Sequence, residues 1–298
     1  MHRPIVVAFA VLASGCSLER VLLDGQLAAT RKASTSFDTL EDLEVAKIGA
    51  GSSLVQLEGM HVLAPDQKDA LFLLLQGYAG FTSAFVEDEW EQAYDRGDDD
   101  AEAFHAERAK KNYDRAIGYG TELLEQTAPG FVAAQKNRDT IKGYLQGIGR
   151  DDAETVLWLG IAWMGRGAVA AERAEIVAEL FIGEALLERA NELDDSMAYG
   201  LGLAALGAYH ARSPDAELKE SAALFDRSFA KTQRKALTPL LLRAQNLACV
   251  SHDEKGYRAL LEEVLAAPDF PAQRLENTIA KRKAQRYLGA PRLKRCAF

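Results

Sequence analysis

Apolar and polar positions recur with a helical period along almost the whole chain. Ala70, Leu71, Leu74, Leu75, Tyr78, Phe81, Phe85 and Trp90 follow one another mostly at steps of three and four. In a helix that spacing gathers them on one face, which predicts a helix over 69–90. The polar run Arg96-Gly97-Asp98-Asp99-Asp100 reads as a solvated loop. Further on, the same periodicity predicts helices over 102–126, 130–146, 153–170, 172–193, 197–211, 218–231, 239–250 and 254–265. Leu18, Val21, Leu22, Leu27 and Ala28 start an earlier helix over 17–32, leaving little room for a flexible tether. Gly49-Ala50-Gly51-Ser52-Ser53 reads as a turn ending a helix. Pro129, Pro214, Pro239 and Pro268 fall between the runs, where a missing N–H costs least. No strand pattern competes, and the expected fold class is all-α.

The helices repeat. Tyr113-Asp114-Arg115-Ala116, Leu187-Glu188-Arg189-Ala190, Phe225-Asp226-Arg227-Ser228 and Leu261-Glu262-Glu263-Val264 start 74, 38 and 36 residues apart. Counting the first gap as two units gives a period of about 37, near that of tetratricopeptide helix pairs. The helices preceding these carry small residues beside large ones: Gly160 between Trp158 and Trp163, Gly202 and Gly207 around Leu203 and Leu206, Ala244 after Leu242. In stacked pairs the small residue admits the partner helix. A tetratricopeptide-like α-solenoid with flanking helices is expected; the other reading is an irregular helical bundle.

The N-terminus changes the picture. Met1-His2-Arg3 precedes an apolar run from Pro4 to Ala13, then Ser14-Gly15-Cys16. That run is about half of the roughly 20 residues a spanning helix needs. Residues 1–15 therefore read as a signal peptide and 16–298 as a single helical-repeat domain; no other stretch is expected to cross a membrane. Small residues directly before a cysteine resemble a bacterial lipobox, which makes Cys16 the site of lipid attachment, although Ala13 stands where such sites usually carry Leu. Ser17 in place of Asp points to the outer membrane under the usual sorting rule. The other reading is ordinary secretory cleavage with Cys16 free.

The net charge of −9 becomes −10 once Arg3 is lost with the signal. An acidic chain without a basic stripe lacks the lysines and arginines that displace counterions from nucleic acid, so that class is excluded. With Cys16 lipidated, Cys249 and Cys296 remain of 3 cysteines. An exported compartment permits their pairing; the alternative is a small buried Cys249 and a Cys296 free on the tail.

Phe85-Val86-Glu87, Arg108-Ala109 with Tyr113, Arg115-Ala116 and Tyr119-Gly120, and Leu157-Trp158 with Ala162-Trp163 resemble the TatT family, as do Leu193-Asp194-Asp195 with Tyr199-Gly200, and Arg274-Leu275 with Asn277, Ala280, Arg282 and Ala284. These are tetratricopeptide lipoproteins associated with TRAP transporters. The resemblance implies a periplasmic protein that partners the substrate-binding protein of a tripartite ATP-independent transporter, assembles as a trimer, and offers an apolar channel to a ligand such as an organic acid. Ser228, where the repeat leads one to expect Ala, and the basic tail Arg292, Lys294 and Arg295 depart from the pattern. The rival of another class is an outer-membrane scaffold lipoprotein for envelope assembly.

Little here points to catalysis. Mature histidines His61, His105, His210 and His252 never take the spacing of a zinc site, and no phosphate loop or nucleophile elbow occurs. The acidic clusters Glu87-Asp88-Glu89-Glu91 and Asp98-Asp99-Asp100 read as solvated. A binding protein with no metal and no cofactor is expected. Trp158 and Trp163, five apart, point about 140° away from each other on a helix, so one can fill the core while the other meets a ligand or partner. Arg274 and Asn277 share a face and are the remaining candidates, with structural hydrogen bonding as their other reading.

Overall fold

The computed structural model describes residues 15–213 and 217–298, with side chains from Arg20 onward. The expected signal peptide up to Ser14, the Cys16 side chain and Pro214 lie outside the described residues. Among the described residues there is helix and connecting turn but no strand. The helices are α1 Gly15–Ala33, α2 Leu43–Leu63, α3 Lys68–Phe81, α4 Glu87–Arg96, α5 Asp99–Thr127, α6 Phe131–Ala134, α7 Arg138–Leu145, α8 Ala153–Val169, α9 Ala174–Ala178, α10 Leu180–Asp194, α11 Leu201–Arg212, α12 Leu218–Thr232, α13 Thr238–Leu242, α14 Glu254–Ala266, α15 Arg274–Tyr287 and α16 Ala290–Arg295. A 3₁₀ turn, Ser34–Thr39, follows α1, and π turns continue α3 over Thr82–Val86 and α13 over Arg243–Ala248.

Local chemistry explains where the helices depart from the expected bounds. The acidic loop shrinks to Gly97 and Asp98: Gly97 takes φ +68° to end α4, and the Asp98 carboxylate accepts the Ala101 N–H at 3.1 Å. Asp99 and Asp100 become the first turn of α5, where the helix dipole favours negative charge. The region expected as one helix over 130–146 is split by Asn137, whose side chain accepts from the Asp139 and Thr140 amides. The expected helix over 197–211 begins only at Leu201, because Ala198, Tyr199 and Gly200 take φ of 43°, 59° and 79°. The turn expected at Gly49–Ser53 is instead the middle of α2. A Cβ on Gly49 would stand 3.3 Å from the Phe37 ring, so these small residues serve close approach rather than chain reversal.

Helices pack as successive pairs, α3–α4 with α5, α8 with α10, α11 with α12, and α13 and its π turn with α14. The first members of the pairs also follow one another, α3 on α8, α8 on α11, α11 on α13 and α13 on α15. This is an all-α helical repeat fold. Glycine does the expected work at the crossings: a Cβ on Gly160 would lie 2.8 Å from Leu187. Ser228 is fully buried and donates to the Gly200 carbonyl at 2.8 Å, which gives the departure from Ala a structural reason.

An open solenoid touches only its neighbours; this one also closes on itself. Helix α15 packs on α2 and the Ser34–Thr39 turn, and α16 reaches α4. Contrary to the sequence expectation, Lys68–Arg96 is long and apolar enough to span a membrane by length and composition. Leu71, Leu73, Leu74 and Leu75 are buried within the protein, so its apolarity is that of a core helix. Cys249 and Cys296 are joined by a disulfide with Cα atoms 4.9 Å apart, so of the two sequence readings the paired one holds, and the tail is stapled to the last repeat.

Candidate functional site

The closure is built around three carboxylates of α4. Asp88, Glu91 and Asp95 occur at i, i+3 and i+7, one face of a helix, and Asp88 and Glu91 are 6% and 5% exposed. Arg286 donates from Nη1 to Asp88 at 2.5 Å and from Nη2 to Glu91, and its Nε stands 3.0 Å from Asp95. Tyr287 donates its hydroxyl to Glu91 at 2.6 Å. Arg292 lies 2.5 Å from Asp95 through Nε and donates to the Glu91 carbonyl at 3.2 Å. Gln245, on the π turn after α13, donates to Glu91 at 3.3 Å. Burial alone would push the Glu91 carboxyl up; the charges of Lys283, Arg292 and Arg286 and the Tyr287 hydroxyl outweigh it and hold the group at about 2.

The acidic cluster is therefore not a solvated face. Of its basic partners, Arg292 comes from the tail whose role the sequence left open, and Lys283 and Arg286 come from α15. A signal was present, because Lys283 and Arg286 repeat on α15 the short spacing of the acids. Nothing local, however, pairs helices nearly 200 residues apart.

Beside the hub, Glu87 accepts from the Tyr113 hydroxyl at 2.5 Å. It is only partly accessible to solvent and enclosed by protein atoms. Burial pushes its carboxyl up, the Lys283 charge and the Tyr113 hydrogen bond draw it down, and Glu91 pushes it up again, leaving it at about 7. The Lys283 ammonium lies 3.9 Å from Glu91 and 3.5 Å from the Ser83 carbonyl. Because the folded state holds the Glu87 proton more tightly than the unfolded chain, its contribution to stability is full below about 4.5 and is lost as pH rises towards 7. A Glu87→Gln variant should consequently gain about 2 kcal/mol over wild type at pH 8 and nothing at pH 4.5, allowing for partial solvation. Urea titrations at both pH values check this; an equal gain at each would contradict the assignment.

The four residues singled out in the sequence are dispersed. Trp163 is 3% exposed and meets the Phe131 ring edge-on at 6.2 Å. Trp158 is half-buried and packs with Tyr119 beside Leu71, Phe72 and Leu123. Arg274 forms a paired contact with Asp269, donating from Nε at 3.0 Å and Nη2 at 2.5 Å. Asn277 is buried; it accepts from the Leu237 amide and donates to the Lys235 carbonyl, each at 2.9 Å, joining α15 to the turn before α13. Of the four, Trp158 keeps the most open aromatic face.

Two open features stand elsewhere. A groove of about 450 Å³ between α12 and α14 has Leu218, Ala222, Leu247 and Leu260 along its wall. The guanidinium groups of Arg234 and Arg243 lie 4.3 and 5.4 Å from the Phe229 ring at its side. On α2, Val45, Ile48, Val55 and Val62 are 55%, 68%, 74% and 77% exposed. With Ser52 and Gly59 between them they fall at alternating steps of three and four, an apolar stripe left exposed among the described residues. Among the described residues no cluster of metal-ligating side chains occurs.

A closed all-helical repeat with an exposed apolar stripe, an open groove and a buried ionic clasp is the class these features define. The sequence matches the TAtT family, described as the TRAP transporter T-component, over residues 39–291, and the chain belongs to that family. Its role is that of an auxiliary component of a TRAP transport system, located in the cell envelope. No curated protein matches it.

Proposed function

We propose that the protein is a lipid-anchored periplasmic binding subunit that engages the substrate-binding protein of a TRAP transporter and performs no catalysis. The observation that carries this is the family match, which runs from Thr39 to the start of α16 and so includes the pairs and all of the clasp but Arg292. The architecture supports a tetratricopeptide role: the Glu91 clasp holds the circuit of helices in one shape, and a preorganised surface spends less free energy on ordering when it binds. The stretch of the α2 stripe formed by Val45, Ile48 and Val55 is the apolar surface offered to the partner, since isolated exposed apolar residues are ordinary but an aligned row is not.

The test is native mass spectrometry of the soluble form, begun after Cys16, alone and mixed with the substrate-binding protein of a neighbouring TRAP transporter. Expected are complexes with that protein, and a trimer for the chain alone as the family suggests. An Ile48→Asp/Val55→Asp variant, altered only at exposed positions, should keep its melting temperature and lose at least tenfold in association, about 1.4 kcal/mol. A chain that ignores the binding protein would move the reading to an envelope scaffold.

The proposal extends to a ligand, an apolar organic acid. The α12–α14 groove lies within the usual size range of small-molecule sites, and beside its apolar wall stand Arg234, paired with Glu263, and Arg243, paired with Asp226. Trp158 is the alternative contact. Calorimetry with an aliphatic carboxylate on wild type, Arg243→Gln and Trp158→Ala separates the two, and no heat with wild type removes the ligand from the proposal.

A further inference from the structure

Helix α1 is already helical at Gly15, directly before the cysteine proposed to carry lipid. At about 1.5 Å per residue, Val21 stands only about 7.5 Å along the helix from Cys16. Val21 and Leu22 are nevertheless 65% and 64% exposed. The same end of the molecule holds the C-terminus of α2, because Arg20 donates to Asp66, in the α2–α3 turn, at 2.9 Å. There Val62 and Leu63 are both 77% exposed. Leu23 and Met60, one on each helix, pack into one small core with Leu27 and Leu57, so the ends of α1 and α2 are held side by side.

We infer that Val21, Leu22, Val62 and Leu63 form a bilayer-facing foot that dips into the interfacial layer beside the lipid anchor and fixes how the ring of helices stands on the membrane. The inference rests on the lipidation of Cys16 in the proposed function. With no flexible tether between anchor and helix, the membrane surface falls at the level of this patch, within the roughly 5–10 Å that interfacial apolar faces penetrate. The two acids flanking the patch share one positive charge: Arg20 bridges both Asp24, at 3.1 Å, and Asp66. An apolar end whose rim acids are bridged by an arginine suits a lipid headgroup layer, because the arginine lessens the repulsion those carboxylates would meet from anionic lipid. A lipid anchor combined with a protein-borne apolar foot also supplies the second signal that firm, oriented attachment requires.

The experiment uses the full-length chain purified from membranes, its mass measured to establish the lipid on Cys16, and reconstituted in phosphatidylcholine–phosphatidylglycerol vesicles. Single cysteines carrying a polarity-sensitive fluorophore are placed at Leu22, Val62 and, as a distant exposed control, Val132. Expected are a blue shift and quenching by lipids brominated in the upper acyl chain at positions 22 and 62, and neither at 132. A Val62→Ser/Leu63→Ser change, exposed and therefore harmless to folding, should weaken the quenching at 22. Lipidated protein with no quenching at 22 or 62 overturns the foot while leaving the anchor intact. Protein with no lipid mass on Cys16 overturns both.

Discussion

Glu91→Gln should destabilise the protein by about 3–5 kcal/mol, the cost expected when one partner of a buried ion pair is removed. The replacement keeps the shape of the side chain, so the loss is electrostatic. Arg286 retains Asp88, and Arg292 retains Asp95, but Lys283, 7% exposed, loses its one close carboxylate and keeps the Ser83 carbonyl at 3.5 Å and the more distant Glu87. Tyr287 and Gln245 also lose a charged acceptor. For a chain of this size the midpoint of thermal unfolding should fall by roughly 10 °C. Glu89→Gln is the control, because Glu89 pairs with Lys47 and Arg108 near the surface, where such pairs are worth about 1 kcal/mol or less. The clasp also predicts a pH dependence. The folded Glu91 carboxyl sits at about 2, below its ordinary value, so its stabilisation is present above about 4.5 and is lost as pH falls from there towards 2. Wild type should therefore have a steeper acid limb in a plot of stability against pH than Glu91→Gln. Parallel limbs, or a variant no less stable than the control, would remove the clasp from its role in holding the circuit shut.

The helices were legible in the sequence because amphipathic periodicity and capping are local. The face Leu71, Leu74, Leu75 and Tyr78, the small residue at Gly160 and the pairing of successive helices all follow from residues a few turns apart. Departures arise where a local signal has two physical outcomes. Gly49 to Ser53 have the composition of a turn, yet the same small side chains let α2 pass over Phe37. Ala198 and Tyr199 carry no chain-reversal signature, and their left-handed backbone is a product of the packing around Gly200. The clasp was invisible for a different reason. An acidic run at a helix start is usually solvated, and only the arrival of α15 and α16 from the far end of the chain turns Asp88, Glu91 and Asp95 into buried partners. Asn277 carried two readings in the sequence, a polar ligand and structural hydrogen bonding, and its surroundings supply partners for the second, the Leu237 amide and the Lys235 carbonyl.

Reducing the Cys249–Cys296 disulfide should cost nearly as much as breaking the clasp, and the two losses should not add. The cysteines are 47 residues apart, and the chain-entropy estimate for a loop of that length is about 4 kcal/mol. Both are almost fully buried. The bond fixes the tail where His252 approaches the Cys296 carbonyl at 3.1 Å and where Phe298 stacks edge-on with Tyr257, ring centres 5.3 Å apart. The same tail carries Arg292 into the acidic face of α4. Once the disulfide is opened, α16 is held to α4 chiefly by that arginine, and once Glu91 is neutralised the arginine is held in place chiefly by the disulfide. Each change weakens what the other secures, so their combined effect should differ from the sum of the separate ones by about 1 kcal/mol or more. Urea unfolding of wild type and Glu91→Gln, each oxidised and reduced, forms the required cycle. Coincident midpoints for oxidised and reduced wild type would show that the staple does not stabilise the fold. Strict additivity would show instead that tail and clasp act independently, each holding the circuit closed without help from the other.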